Sequence, residues 1–250
     1  MRDEIDPWLI SVQDKIRDDF GWDVTDDRRS LELLLEKIET KDVEHWEKNN
    51  REKTLSRLTR LAQSTESRGI TVVGAAAKSV ELIPHILEDR MLVIADGSIG
   101  IVNELPNIYR KKALDTILFI SSDCDGMPAI LSPAISKNIF LLHAHGDNIE
   151  LWNKFLEHWS DNSNIDRPSI VITHQLPEVI PSSINPGGFT DGDRAICSLL
   201  TMGIDKSSIS LVGFSSDFVG KWSGITNNNV KLRKLKWMDE VLKHLGFMEV

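Results

Sequence analysis

Cysteine is scarce in this chain. There are two in 250 residues, Cys124 and Cys197, far apart and in no CxxC pattern, which argues against a disulfide framework or a zinc finger. Long apolar runs are missing too. None approaches the ~18 residues that a membrane helix needs. The opening stretch MRDEIDPWLI has no signal-peptide core. The expectation is a cytoplasmic protein with no membrane partner. There is no basic surplus: 29 Lys and Arg face 38 Asp and Glu, for a net charge of -9. That argues against non-specific nucleic-acid binding, which wants a basic surface. A local cationic pocket for an anionic substrate remains compatible with it. The common nucleotide signatures are absent: there is no GxxxxGK[ST], and no GxGxxG follows the first apolar run. No serine sits in a GxSxG elbow, so triad hydrolysis has no support.

What is present divides in two. Residues 1–66 hold one glycine (Gly21), one proline (Pro7) and hardly any strand signal. SLELLLEKIE spaces Leu31, Leu34, Leu35 and Ile38 as one helical face, with Ser30 as its expected N-cap. From Val43 to Leu61 a charged helical stretch carries Trp46, Leu55, Leu58 and Leu61 as an apolar stripe. This half reads as a helical subdomain, a cap or dimerisation element whose stripe packs on the rest of the chain. A homodimer is compatible with it. After Ser67 short β-rich runs appear: GITVVGA, MLVIADG, DTILFISS, NIFLLHAH, PSIVITHQ and SISLVGFS. Helix-compatible segments lie between them. Residues 67–250 therefore predict a doubly wound α/β domain with a mostly parallel sheet of about six strands. Ligands in such sheets bind beyond the C-terminal strand ends.

Those ends collect polar groups. In SSDCDG, Asp123 and Asp125 flank one residue, a pairing suited to Mg²⁺ on substrate phosphates. Asp96 in ADGS adds another strand-end carboxylate. GGFTDGDRA opens a helix, with Thr190 or Asp191 as cap. Its free N–H groups and Arg194 suit a phosphate. Asp191 and Asp193 also complement the helix dipole, and Gly192 permits close approach. Lys231, Arg233 and Lys234 in KLRKLK can close on a polyphosphate or form a solvated helix face. In HAHGDN, His143 and His145 alternate on a strand end and can point the same way. A zinc site wants three or four ligands, and His174 is the one further candidate. The expectation is imidazoles acting on phosphate or substrate, with Asp147 touching a metal or orienting a histidine.

Taken in order, ADGS, SDCDG, HAHGDN, GFTDGDRA and KLRKL resemble the archaeal 6-hydroxymethyl-7,8-dihydropterin pyrophosphokinases over nearly all of residues 68–246. ADG followed by a D-x-D turn is also similar to thiamine pyrophosphokinases. The resemblance implies Mg²⁺-dependent transfer of diphosphate from ATP to a reduced pterin alcohol, with release of AMP, in tetrahydromethanopterin or folate-type cofactor synthesis. It implies Mg²⁺ on Asp123 and Asp125, and ATP or substrate at Asp96, Gly97, Asp147, Asn148, Thr190, Asp191, Gly192, Asp193, Lys231 and Arg233. His143 or His145 would accept the alcohol proton, and Arg194 would offset developing charge. Trp222 can stack on a flat ring or serve as core or lid. Two departures stand out. GAAAKS replaces a Gly-Pro pair after the first strand, and the Cβ atoms of Ala76 and Ala77 argue against that turn as a phosphate ligand. Cys124 replaces an aliphatic residue in the D-x-D turn. Thiamine or another alcohol as acceptor, or a non-catalytic nucleotide-binding regulator, are the alternative readings.

Overall fold

The computed structural model describes residues 6–161, 166–224 and 227–247. Three helices come first: α1 (Pro7–Phe20), α2 (Val24–Glu39) and α3 (Lys48–Thr65). Asp6 caps α1 by accepting from the Trp8 N–H, with Pro7 in its first turn, where a missing N–H costs nothing. Gly21, at φ 67°, ends it in the left-handed conformation that glycine takes most readily. Asp23 caps α2 by accepting from the Thr25 N–H. Ser30, expected as the cap, lies inside α2, because the acidic first turn at Asp26 and Asp27 starts the helix earlier.

Then strands and helices alternate: β1 (Ile70–Val73), α4 (Ser79–Leu87), β2 (Met91–Ala95), α5 (Ile101–Glu104), α6 (Asn107–Asp115), β3 (Ile117–Ser122), β4 (Ile139–His143), α7 (Ile149–Asp161), β5 (Ser169–Thr173), β6 (Ser183–Ile184), α8 (Asp191–Thr201), β7 (Ile209–Val212) and α9 (Asn228–His244). Among the described residues seven strands form one sheet and run parallel, in the order β6-β5-β4-β3-β2-β1-β7. The six expected strands are present. The seventh, β6, is a two-residue strand inside the Pro- and Ser-rich stretch after β5.

Strand side chains alternate between two cores, as the pleat requires. Leu92 and Ile94 face one side, with Phe140 and Leu142, beneath α2, α4 and α7. Val93, Phe119, Leu141 and Val171 face the other, beneath α3, α8 and α9. The N-terminal helices are thus split between the faces. Leu34 and Trp46 are fully buried on one and Leu58 on the other, while Leu61 stays 42% exposed. α1 lies elsewhere, its Leu9, Val12 and Ile16 packed on Phe189 and Cys197 of the α8 region and on Val241 of α9. From β1 the chain steps through β2 to β6 in one direction. Then α8 crosses back and β7 pairs with β1 from the other side. That reversal opens a crevice at the C-terminal strand ends.

Candidate active site

A cleft of about 840 Å³, counting the part open to solvent, lies at those strand ends. Its floor is acidic. Asp96 after β2, Asp123 after β3 and Asp191 at the start of α8 each present a carboxylate oxygen, all within 4.8 Å of one another. Asp96 is buried, and its Oδ2 has no hydrogen-bond partner; Ser122 Oγ donates to Oδ1. Asp96 sits at φ 41° and Cys124 at φ 73°, left-handed conformations that are strained for non-glycine residues and collect at functional sites. Burial, then the neighbouring carboxylates of Asp125, Asp191 and Asp123, push the Asp96 carboxyl well above the usual range. Burial and Asp123 do the same to Asp191, against the pull of Arg194. Crowded carboxylates, two of which resist ionisation and one of which has an orphaned oxygen, fit a divalent cation. Hard oxygen ligands suit Mg²⁺. The trio contains one member of the expected Asp123–Asp125 pair. Asp125 lies beside it and pairs with Lys231, Nζ to Oδ2 at 3.5 Å.

Cations face this floor. Arg194 is buried and donates to Asp191 at 3.0 Å and to the Phe189 carbonyl at 2.5 Å. Lys231 reaches in from α9. Burial opposes its charge, yet Asp125, Asp123 and Asp191 raise it above the ordinary lysine value. Lys234 lines the same wall. The start of α8 is held by a capping box in which Asp193 accepts from the Thr190 and Phe189 N–H groups. Gly192 lies against Phe214, so a Cβ there would come within 2.7 Å of the ring.

The loop HAHGDN divides its roles. His145 reaches the cleft, with Nδ1 2.6 Å from Asp147 and Nε2 3.4 Å from Asp123. Burial disfavours its charge, but the two carboxylates outweigh that and push it up to about 9. The same contact holds Asp123 well below the usual carboxylate range despite its burial. Asp147 thus contacts a histidine. His143 is fully buried, with Nδ1 3.0 Å from the Thr173 hydroxyl. Burial, reinforced by nearby Arg194, pushes it well below the ordinary histidine value. Asn148 is buried too, donating to the carbonyls of His143 and Asp123 at 2.7 and 2.9 Å.

Of the residues read from the sequence, the structure brings Asp96, Gly97, Asp123, Asp125, His145, Thr190, Asp191, Gly192, Arg194 and Lys231 to the cleft wall. It does not bring His143, Asp147, Asn148, Asp193 or Arg233 there. Arg233 turns outward to Asp19 at 2.9 Å and lies over the Phe20 ring. Trp222 does line the cleft, with its indole N–H anchored on the Ala77 carbonyl. Ala75 and Ala76 of the GAAAKS turn line it as well. Sequence reasoning passed over Trp22, Gln175, Phe189 and Phe214. Phe189, Gln175 and Phe214 lie in the strand-end and helix-start stretches themselves, but an apolar or amide side chain there is not a chemical signal; Trp22 reaches the cleft through tertiary packing alone.

No family model matches the chain, and no solved structure gives a significant match. Two curated proteins do. One from Pyrococcus furiosus is 28% identical over 245 residues, covering 93% of this chain and 90% of that protein. One from Methanocaldococcus jannaschii is 25% identical over 260 residues, covering 95% and 94%. Both are named 6-hydroxymethyl-7,8-dihydropterin pyrophosphokinase. The chain is similar to these pyrophosphokinases over most of its length. The likeness read from the strand-end motifs thus extends into the N-terminal helices.

Proposed function

We propose that the protein transfers diphosphate from ATP to the hydroxymethyl oxygen of 6-hydroxymethyl-7,8-dihydropterin and releases AMP. One observation carries the reading: a carboxylate trio, Asp96 buried and Asp123 and Asp191 partly so, faces Arg194 and Lys231 across a single cleft, in a chain whose near-full-length relatives bear that name. The alcohol oxygen bonds to the β-phosphorus, the bond from that phosphorus to the AMP oxygen breaks with its electron pair leaving on AMP, and the alcohol proton is released to solvent. Such a transfer needs alignment and charge neutralisation more than covalent help from the protein. Mg²⁺ would be held by Asp96, Asp123 and Asp191 with Asp125 adjacent, and would neutralise charge on the phosphate oxygens.

The remaining work falls to side chains on the cleft wall. Lys231 and Lys234 draw the polyphosphate in. Arg194 sits at the first turn of α8, where its fixed fork and the helix N-terminus favour negative charge. His145, a cation between Asp123 and Asp147, fixes the carboxylate on which the metal depends. The product would supply a tetrahydromethanopterin or folate-type cofactor pathway in the cytoplasm. The test is AMP release from ATP and Mg²⁺ on adding 6-hydroxymethyl-7,8-dihydropterin, with thiamine as the comparison alcohol. AMP formed with thiamine but not with the pterin would overturn the acceptor.

A further inference from the structure

The loop that carries His145 is tied to the N-terminal helices. Asp27, in the first turn of α2, is 4% exposed. Its Oδ1 accepts from the Gly146 N–H at 2.9 Å. Its Oδ2 accepts from Gln175 Nε2 at 2.8 Å and from Arg17 Nη1 at 3.2 Å. Gly146 lies between His145 and Asp147, and Gln175 lines the cleft after β5. One carboxylate thus joins α1, α2 and two strand-end loops. A second tie runs beside it. Ser30 Oγ donates to Asn148 Oδ1 at 3.3 Å and accepts from the Trp152 indole. Asn148 Oδ1 also accepts from the His145 N–H at 3.1 Å. The approach is so close that a Cβ on Gly146 would come within 2.8 Å of the Asp26 Cβ.

We propose that Asp27 is a positioning residue for the diphosphate-transfer site. It sets the height of the His145–Asp147 turn and the direction of Gln175, so the N-terminal helices are part of the working site. This rests on the functional reading above. Asp27 touches no reacting atom; it acts through Gly146 and Gln175. The phosphate-facing side chains Arg194 and Lys231 have no bond to it. Losing it should therefore spare ATP binding and impair turnover.

The test compares Asp27→Ala and Asp27→Asn with wild type, at a temperature where thermal melts show each folded. In Asp27→Ala, kcat should fall roughly tenfold or more, the effect of one or two lost charge-assisted bonds. Its KM for ATP should stay within about threefold. Asp27→Asn keeps one acceptor and should recover part of the loss. Hydrogen exchange across residues 145–148 should quicken in Asp27→Ala, a readout that needs no substrate. Wild-type kcat in Asp27→Ala, or a loss matched by the unfolded fraction, overturns the positioning role. Unchanged exchange at 145–148 overturns the tether itself. Wild-type protein inert towards the pterin, with quickened exchange in Asp27→Ala, sinks the assigned reaction and leaves the tether standing.

Discussion

His145 Nε2 lies 3.4 Å from Asp123 Oδ2, which ties the cationic part of the HAHGDN loop to the first carboxylate of SSDCDG. The pairing has a pH signature. With its folded value pushed up to about 9, His145 binds its proton more tightly folded than unfolded, where the reference is about 6.5. The stabilisation is full below pH 6.5 and is lost as pH rises through about 9. It amounts to at most about 3 kcal/mol. Melts of chelator-treated wild type and His145→Gln should differ most near pH 6 and converge by pH 10. A gap that is constant across that range would deny the pair its charge.

Asp96 is predicted to trade stability for function. Its orphaned Oδ2 faces like charges. In Asp96→Asn an amide N–H would face those carboxylates instead. Metal-free Asp96→Asn should be more stable than wild type by about 1 kcal/mol, the scale of one gained hydrogen bond. Its AMP release should fall at least about a hundredfold. Calorimetry with chelator and the turnover assay read both. Reduced stability together with intact turnover would remove Asp96 from the metal group.

Two cations in one motif should behave differently. Lys231 faces the carboxylates, whereas Arg233 pairs with Asp19 on the surface and lies over Phe20. Lys231→Ala should raise the KM for ATP about tenfold, as for a lost charged contact. Arg233→Ala should stay within about twofold, because exposed pairs contribute little. Equal effects would place the polyphosphate elsewhere.

Arg194 is the least replaceable cation. It bridges Asp191 and the Phe189 carbonyl with two nitrogens of a buried fork. Arg194→Ala should cost on the order of 1.5–3 kcal/mol in kcat/KM. Arg194→Lys should recover little, since an ammonium cannot reproduce the fork. Steady-state kinetics with ATP varied decides it, and full recovery by lysine would reduce Arg194 to a point charge.

Trp46 tests how the helical half relates to the sheet. It is fully buried in the core that holds Leu92 and Phe140, and its indole donates to the Pro168 carbonyl at 2.7 Å. Trp46→Ala should destabilise the protein by about 3–5 kcal/mol. Urea unfolding should keep one transition, because that core runs from α2 into the strands. A separate early transition would mark residues 1–66 as a folding unit of their own.

The strands were legible because a parallel sheet buried on both faces leaves nearly continuous apolar runs, as in TILFIS and IFLLHA. The two residues of β6 leave no such run. Single groups at strand ends were legible for the same reason, since the turn after an apolar run marks the ligand edge. Their partnerships were not. Asp123 and Asp125 are neighbours in sequence, yet the trio draws Asp96 and Asp191 from distant turns. Alternation put His143 and His145 on one side, but burial holds His143 against Thr173 and leaves His145 to the cleft. Asp27 meets Gln175, and Trp22 meets the cleft, only when α1 and α2 dock on the sheet edge. No spacing rule encodes that.

The pairing of β7 with β1 also has a consequence for synthesis. On the ribosome, β1 emerges early and must wait for its second neighbour while β2 to β6 and α8 are made. The acidic floor is complete once Asp191 has emerged, but one wall of the cleft is not. Phe214, Trp222 and Lys231 all follow β7. A nascent chain stopped before Ile209 would carry its carboxylates beside an open sheet edge, a template for aggregation. It would have nothing to close over a nucleotide. Activity would therefore arrive late and all at once, with the segment that follows the last strand to join the sheet.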